Sequence, residues 1–271
     1  MTDGAAPVRP RLWSGGWRTW CLVGAAVVAV AALAPPLATW ARRTESVSVL
    51  QFSLLALPVP ALFVVGAPWR VLRLARRGDC ADRRPRVVDR LADHRRRHRE
   101  LPWSLAFVAI GIAVAIAWHT PRAVAAVAAH GWLAPVEGLT LLLAGTGLWL
   151  ELVRSPPLEP RSGLLRRAVL AAVSMWAFWI LAYVTGLSTH GFYGNFHHAA
   201  GGLSAAADEQ IASAVLWAVA SATFAPVIFW NALRWLQSEE DPDTELLALA
   251  RADRRRGLPP FGGHRGGAAS A

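Results

Sequence analysis

The side chains most capable of chemistry in this chain are a few polar groups inside or at the ends of long apolar runs. Desolvating an ionisable group in such a run is costly, so each one is a candidate for function. The ionisable candidates are His119, His130, Glu137, Glu151, His190, His197, His198, Asp208 and Glu209, and Gln51 is the notable polar residue within a run. Because neutral imidazole is a common metal ligand, the histidines suggest copper or zinc.

Sulfur ligands are scarce beside these histidines. Copper(I) usually also recruits sulfur, but the two methionines, Met1 and Met175, lie far from the histidines in sequence. The two cysteines, Cys21 and Cys80, are well separated and form no CxxC motif, so they indicate neither a disulfide framework nor a thiolate site. We see no nucleophile motif, phosphate-binding loop or pair of catalytic carboxylates, and we predict that the protein is not an enzyme.

The apolar runs predict the elements that must position these groups. The chain has 271 residues, is 54% hydrophobic, and gathers its apolar residues into blocks of about twenty. Blocks of that length predict transmembrane helices, because backbone groups in lipid must be hydrogen-bonded internally. We predict an all-α, polytopic membrane bundle with six spans, at about Trp20–Trp40, Val47–Pro68, Leu101–Trp118, Leu133–Val153, Ala168–Leu187 and Ile211–Leu236. Prolines 35, 36, 58, 60 and 226 are expected to bend or interrupt these spans.

The arginines predict the orientation of the bundle. The formal net charge is +10 and all 28 basic residues are arginine, twelve of them between Trp69 and Glu100. By contrast, Gly186–Gln210 contains no arginine and His119–Trp132 contains only Arg122. Positive loops stay cytoplasmic, so we predict cytoplasmic termini and outer loops at about 41–46, 119–132 and 188–210. This distribution favours membrane topology over nucleic-acid binding as the reason for the charge.

Three regions follow from this pattern: a flexible segment at 1–18, a membrane domain at 19–238 with a basic cytoplasmic loop at 69–100, and a disordered tail at 239–271. Within the loop, "RRPRVVDRLADHRRRHRE" predicts a short basic helix with Val87, Val88 and Leu91 on one face. Such a helix is either attracted to anionic lipid headgroups or is a solvated topology signal, and the second interpretation is preferred.

Four segments in order resemble the CtaG family, which comprises membrane-embedded assembly factors for bacterial caa-type cytochrome c oxidase. "SVLQFSLLALPVPALFVVGAPWR" is similar to the family's "HMxQHxLLxxxxPxLxxxGAP", and "AWHTPR" to its "WHxP". "HGWLAPVEGLTLLLAGTGLWLEL" is similar to "HPWVHxxEHxxFLxxGxLFW", and "ADEQIASAVLWAV" to "xDQQxxGxxMW". The resemblance covers residues 17–240 and implies a multi-pass protein of the bacterial plasma membrane, with oxidase subunits and lipids as partners and no nucleic acid.

The chain departs from the family at two pairs of histidines. These fall on Ser48 and Phe52 in span two, and on Ala134 and Gly138 in span four. The residues kept at family-like positions include Gln51, His119, Pro121, His130, Glu137, Asp208 and Gln210. We therefore take His119, Glu137, His130 and His190 as candidate metal ligands for copper, and Gln51, Asp208 and Gln210 as further polar site residues.

Three functions remain open from the sequence. The first is an assembly factor for a haem–copper oxidase, linked to copper handling on the outer face. The second is a copper transport or resistance protein, which would need ligands through the membrane, although spans one, two and six contain no histidine. The third is a diverged scaffold that has kept the helices and lost metal chemistry.

Overall fold

The computed structural model describes residues 16–72, 87–97, 101–187 and 204–238, which form eleven α-helices. These are α1 (Gly16–Leu33), α2 (Leu37–Trp40), α3 (Glu45–Ala56), α4 (Pro58–Gly66), α5 (Pro68–Val71), α6 (Val87–Arg97), α7 (Leu101–Trp118), α8 (Pro121–Ala129), α9 (Leu133–Leu152), α10 (Leu164–Gly186) and α11 (Ala205–Gln237). Within these ranges the one extended pairing is an isolated bridge between Ser155 and Leu158. The predicted all-α class is therefore confirmed.

The helices also confirm a multi-pass membrane protein. Five segments are long and apolar enough to span a bilayer: Gly16–Leu33, Glu45–Val71, Leu133–Leu152, Leu164–Gly186 and Ala205–Gln237. A sixth span is counted if α6 and α7, which meet at a bend of 119°, are taken together. The 18 residues of α7 coincide with the predicted third span and are about 27 Å long, close to the thickness of the hydrocarbon core.

The prolines interrupt some spans and not others. Helix α1 ends at Leu33, just before Pro35 and Pro36, so the first span is shorter than predicted. Span two is divided at Leu57, immediately before Pro58. By contrast, α11 continues through Pro226 over 33 residues, so of the two expected effects of this proline, a bend or an interruption, the helix is not interrupted there. Transmembrane helices tolerate proline where neighbouring groups satisfy the freed backbone carbonyl.

The bundle is held together by close contacts at glycine. Helix α10 packs along α11, α1 packs against α4, and α9 packs against both α4 and α7. A Cβ atom added at Gly145 would lie 2.7 Å from Cγ of Pro60, and one added at Gly111 would lie 2.9 Å from Cβ of Leu148. Small residues allow helices in lipid to approach closely, so Gly145 permits the close contact between α4 and α9.

Replacing Gly145 with alanine is expected to destabilise the bundle by about 1–3 kcal/mol, because the methyl group overlaps the ring of Pro60. Gly24→Ala is the matched control, since its Cβ would meet Leu62 at an ordinary 3.7 Å. Thermal unfolding of the two purified variants in detergent is the measurement. Equal midpoints for G145A and G24A would contradict the packing argument.

The region predicted as a short outer loop at 119–132 contains a helix. Thr120 is extended, Pro121 starts α8, and the helix runs to Ala129. Proline is favoured at the first position of a helix because its missing N–H has no intrahelical partner there. The sequence analysis placed these residues in a loop and predicted no helix there.

A buried ion-pair cluster holds together the end of the bundle where α7 begins and α9 ends. It is formed by Arg95, Glu151, Arg161 and Ser104. Oε1 of Glu151 lies 2.9 Å from guanidinium nitrogens of both Arg95 and Arg161. The hydroxyl of Ser104 donates to Oε2 of Glu151 at 2.8 Å. Because Glu151 is fully buried at 0% exposure, the cluster fixes α6, the start of α7 and the segment after α9 to one carboxylate.

Candidate functional site

The candidate site lies at one end of the bundle, where α1 and α7 end and α3, α9 and α11 begin. Two cavities occur there, and both are lined by Ser48, Gln51 and Val127. The smaller cavity has a volume of about 20 Å³ and is lined by residues that include Glu45, Phe52, His119 and Glu137. This volume holds about one water molecule. Polar side chains from α3, from α9 and from the end of α7 therefore face one small buried space.

His119 is the imidazole of this cavity. It follows the last residue of α7, is only 3% exposed, and its ring centroid lies 4.7 Å from that of Phe52. Burial lowers the pKa of His119 to about 4, because the charged form would lose its hydration. The imidazole is therefore neutral at pH 7, which is the form that binds metals or exchanges hydrogen bonds.

Glu137 enters the same cavity from the second turn of α9 and is 7% exposed. The adjacent turn is tied to α7 through Trp118, whose indole N–H donates to the hydroxyl of Thr140 at 2.8 Å. That hydroxyl is 2.9 Å from the backbone carbonyl of Glu137. The contact between α7 and α9 thus sets the positions of His119 and Glu137 relative to each other.

Gln51 has a structural role that the prolines explain. Its side-chain amide donates to the backbone carbonyl of Ala32 at 2.7 Å. In a continuing helix that carbonyl would accept from the N–H four residues later, but position 36 is a proline without an N–H. Gln51 therefore satisfies the carbonyl that is orphaned at the end of α1 while it also lines both cavities.

Asp208 provides the N-terminal cap of α3 from the first turn of α11. Its Oδ2 accepts from the backbone N–H of Glu45 at 2.7 Å, and its Oδ1 accepts from that of Ser46 at 3.3 Å. The local N-cap residue, Thr44, does not cap α3, since its hydroxyl donates to the carbonyl of Trp40. A carboxylate is favourable at a helix N-terminus because it meets unpaired N–H groups and the positive end of the dipole.

Replacing Asp208 with alanine is expected to destabilise the protein by about 1–2 kcal/mol, because two N–H groups of α3 lose their acceptor. The control is Gln210→Ala, which removes an exposed side chain two residues further along α11. Unfolding of both variants in detergent measures the difference, and a D208A variant as stable as Q210A would refute the cap.

Glu45 was missed in the sequence analysis. It is 3% exposed, lines the small cavity, and its Oε1 has no hydrogen-bond partner among the described residues. Asp208 and Glu209 are buried beside it at the start of α11. The available signal was an acidic residue at the first position of an apolar run, "ESVSVLQF", where a carboxylate is either a helix-start residue or part of a site.

The larger cavity, of about 90 Å³, shares three lining residues with the small one and is also lined by the segment after α1. Its lining includes Arg42, which is exposed, and Gly131. A Cβ atom at Gly131 would lie 3.0 Å from a guanidinium nitrogen of Arg42, so the glycine leaves room for that side chain. The buried polar groups thus adjoin a space that an arginine borders at the surface.

Three of the four positions at which the family carries paired histidines line these cavities. Ser48 lines both, Phe52 lines the smaller, and Ala134 lines the larger. Gly138 lies nearby, with space for a Cβ atom 3.5 Å from Leu55. Three of the substituted positions therefore line the same space as the retained polar residues, and the ring of Phe52 packs on that of His119.

The sequence-predicted residues divide into three groups. The structure brings together His119, Glu137 and Gln51 at the small cavity. Asp208 does not line that cavity, but it accepts a hydrogen bond from the backbone of Glu45, which does. His130 is exposed at the end of α8, with Nδ1 3.3 Å from the carbonyl of Ala126, and Gln210 is exposed on α11. His190, His197 and His198 lie outside the described residues. Among the described residues, no three His, Cys, Asp or Glu side chains converge to hold a metal ion.

The fold and this polar cavity define a class of multi-pass helical membrane proteins that carry a buried site at one end of the bundle. Residues 3–238 match the family model of the cytochrome c oxidase caa3 assembly factors, CtaG. Because the match covers most of the chain, the chain belongs to this family, which confirms the predicted resemblance and supports a role as a cytochrome c oxidase assembly factor. Comparisons with curated proteins and with solved structures give no match.

Proposed function

We propose that this protein assists maturation of a haem–copper cytochrome c oxidase in the bacterial plasma membrane, through the buried polar cavity at 45–52, 119 and 137. Both termini are cytoplasmic in this proposal, so the cavity faces the outer side of the membrane. The role is accessory rather than enzymatic. The assembly-factor family supports an interaction with the oxidase.

One observation carries the proposal. Gln51, His119 and Glu137 are far apart in sequence, yet they line the same cavity together with Glu45. Three of these side chains, Glu45, His119 and Glu137, are ionisable, and burying them at one place costs free energy that a purely structural bundle would avoid with apolar residues. Ionisable side chains that are buried in a membrane protein despite this cost usually serve a function.

Copper handling stays a prediction. In the described part of the chain the cavity offers one imidazole, from His119, and the carboxyl groups of Glu45 and Glu137. This set lacks the sulfur ligands that copper(I) prefers, and the donors do not converge as a closed metal site. The donors present do not fit a tightly held copper ion, so the proposed assembly role includes no copper-transfer step by this chain alone.

A scaffold without metal chemistry is the second candidate, and two contacts favour it. Gln51 is engaged with the carbonyl of Ala32, and Asp208 is engaged with the start of α3. Two residues kept at family-like positions therefore have structural roles that are sufficient to explain them. His119 and Glu137 are the residues whose substitution separates the candidates.

The test is a deletion strain examined for the reduced-minus-oxidised spectrum of a-type haem and for oxidase activity in its membranes. Under the proposal, deletion reduces both signals and complementation with this chain restores them. Equal signals in the deletion and parent strains would favour the scaffold without an assembly role. Copper in the purified protein, measured by mass spectrometry with and without added copper(I), tests metal binding separately.

A further inference from the structure

We propose that α6 is an interfacial helix that binds anionic phospholipid headgroups along the flank formed by Val87, Leu91, Arg90 and Arg97. The proposal is independent of the oxidase role, because it concerns the end of the bundle opposite the polar cavity. It assigns a function to the basic segment that the sequence analysis had favoured as a solvated topology signal.

Helix α6 is strongly inclined to the spanning helix α7. The bend of 119° between α6 and the spanning helix α7 places α6 closer to the plane of the membrane than to its normal. Helix α6 is also anchored to the bundle. Ala92 is buried, and the guanidinium of buried Arg95 donates to the carbonyl of Leu150 at 3.1 Å and to Glu151 at 2.9 Å. The helix therefore lies at the ends of the spans and is held there.

Helix α6 carries a small exposed apolar surface. Residues four positions apart lie on one face of a helix, so Val87 and Leu91 form a pair. Val87 is 79% exposed and Leu91 is 46% exposed, although α6 is otherwise strongly polar. An amphipathic helix parallel to the membrane buries such residues at the boundary between headgroups and acyl chains.

Helix α6 also carries exposed positive charge. The exposed Arg90 lies three residues from Val87 and so borders this apolar pair, and the exposed Arg97 lies on the same side as Arg90, two turns further along α6. In the described part of the chain neither guanidinium group is ion-paired with a carboxylate. Arg96 lies on the side of α6 opposite Val87 and is already paired with Asp93 at 3.1 Å. Cationic side chains beside an inserted apolar pair are complementary to phosphate headgroups. The ligand of this helix is therefore expected to be an anionic phospholipid.

The test uses the full chain with Cys21→Ser and Cys80→Ser, spin-labelled at Leu91→Cys or, as a control on the other flank, at Asp93→Cys. Each protein is reconstituted in vesicles of phosphatidylcholine with or without phosphatidylglycerol. Collisions of the label with oxygen, which concentrates in lipid, and with a water-soluble nickel complex are compared. With phosphatidylglycerol present, the oxygen-to-nickel ratio at position 91 is expected to be several-fold above that at position 93.

Charge variants isolate the headgroup contribution. Arg90→Gln and Arg97→Gln are each expected to weaken the affinity for phosphatidylglycerol about fivefold, measured as the phosphatidylglycerol fraction that half-inserts the label. Arg96→Gln is the matched control and is expected to leave that fraction unchanged, because Arg96 lies on the side of α6 opposite Val87 and faces Asp93. A label at position 91 that is as water-accessible as at position 93, or insertion that is equal in phosphatidylcholine alone, would overturn the proposal.

Discussion

The Glu151→Gln variant is expected to unfold with a free energy lowered by about 3–5 kcal/mol, or to fail to accumulate in the membrane. Glu151 is the one carboxylate between Arg95 and Arg161, and it is completely buried. Neutralising it leaves two buried guanidinium groups without a counter-charge, and removing one partner of a buried ion pair is costly on that scale. The glutamine retains the shape of the side chain, so packing changes contribute little.

The control for this prediction is Glu159→Gln, which removes the same charge from a nearby exposed pair. Glu159 lies 3.9 Å from Arg154, and both side chains are about half exposed. An exposed pair contributes about 0–1 kcal/mol, so E159Q is expected to resemble the parent protein. Unfolding followed in detergent, together with the amount of protein in membranes, measures both variants. Equal stability of E151Q and E159Q would show that the buried cluster is not needed.

The second large effect is expected at the polar cavity. His119→Gln and Glu137→Gln should each reduce oxidase maturation about fivefold to a hundredfold, the scale of losing a buried polar partner worth about 1–3 kcal/mol. Because burial keeps the pKa of His119 near 4, the imidazole is neutral at pH 7, so glutamine changes its chemistry without changing its charge. The readouts are the a-type haem spectrum and oxidase activity in complemented deletion strains.

His130→Gln is the matched control for these variants. It removes an imidazole from the same region of the chain, but one that is exposed at the end of α8 and does not line the cavity. Oxidase maturation in this control should equal that of the parent chain. The amount of each variant in the membrane must also be unchanged, because that separates a site from a folding defect. Normal maturation in H119Q and E137Q would favour the scaffold.

The apolar blocks and the motifs predicted much of the fold because they act locally. Segment length alone distinguishes spans from soluble helices, and Pro35 and Pro58 mark helix ends through a missing N–H. The limits of local reasoning appear at Pro226, where α11 continues, and at 119–132, where α8 forms. The continuation at Pro226 depends on which neighbouring groups hydrogen-bond the freed carbonyl, and a linear pattern does not contain that information. Helix α8 did have a local signal, Pro121 at its first position, which the loop prediction did not use.

The sequence by itself determined that the protein is a helical, multi-pass membrane protein of the oxidase assembly family, and it nominated His119, Glu137, Gln51 and Asp208. Only the tertiary structure decided that the first three share a cavity with Glu45, that Asp208 caps α3, and that Arg95 and Arg161 meet at Glu151. The physical reason is the range of the interactions. Hydropathy and proline effects operate within a few residues, whereas burial and pairing of a polar group depend on helices that are distant in the chain.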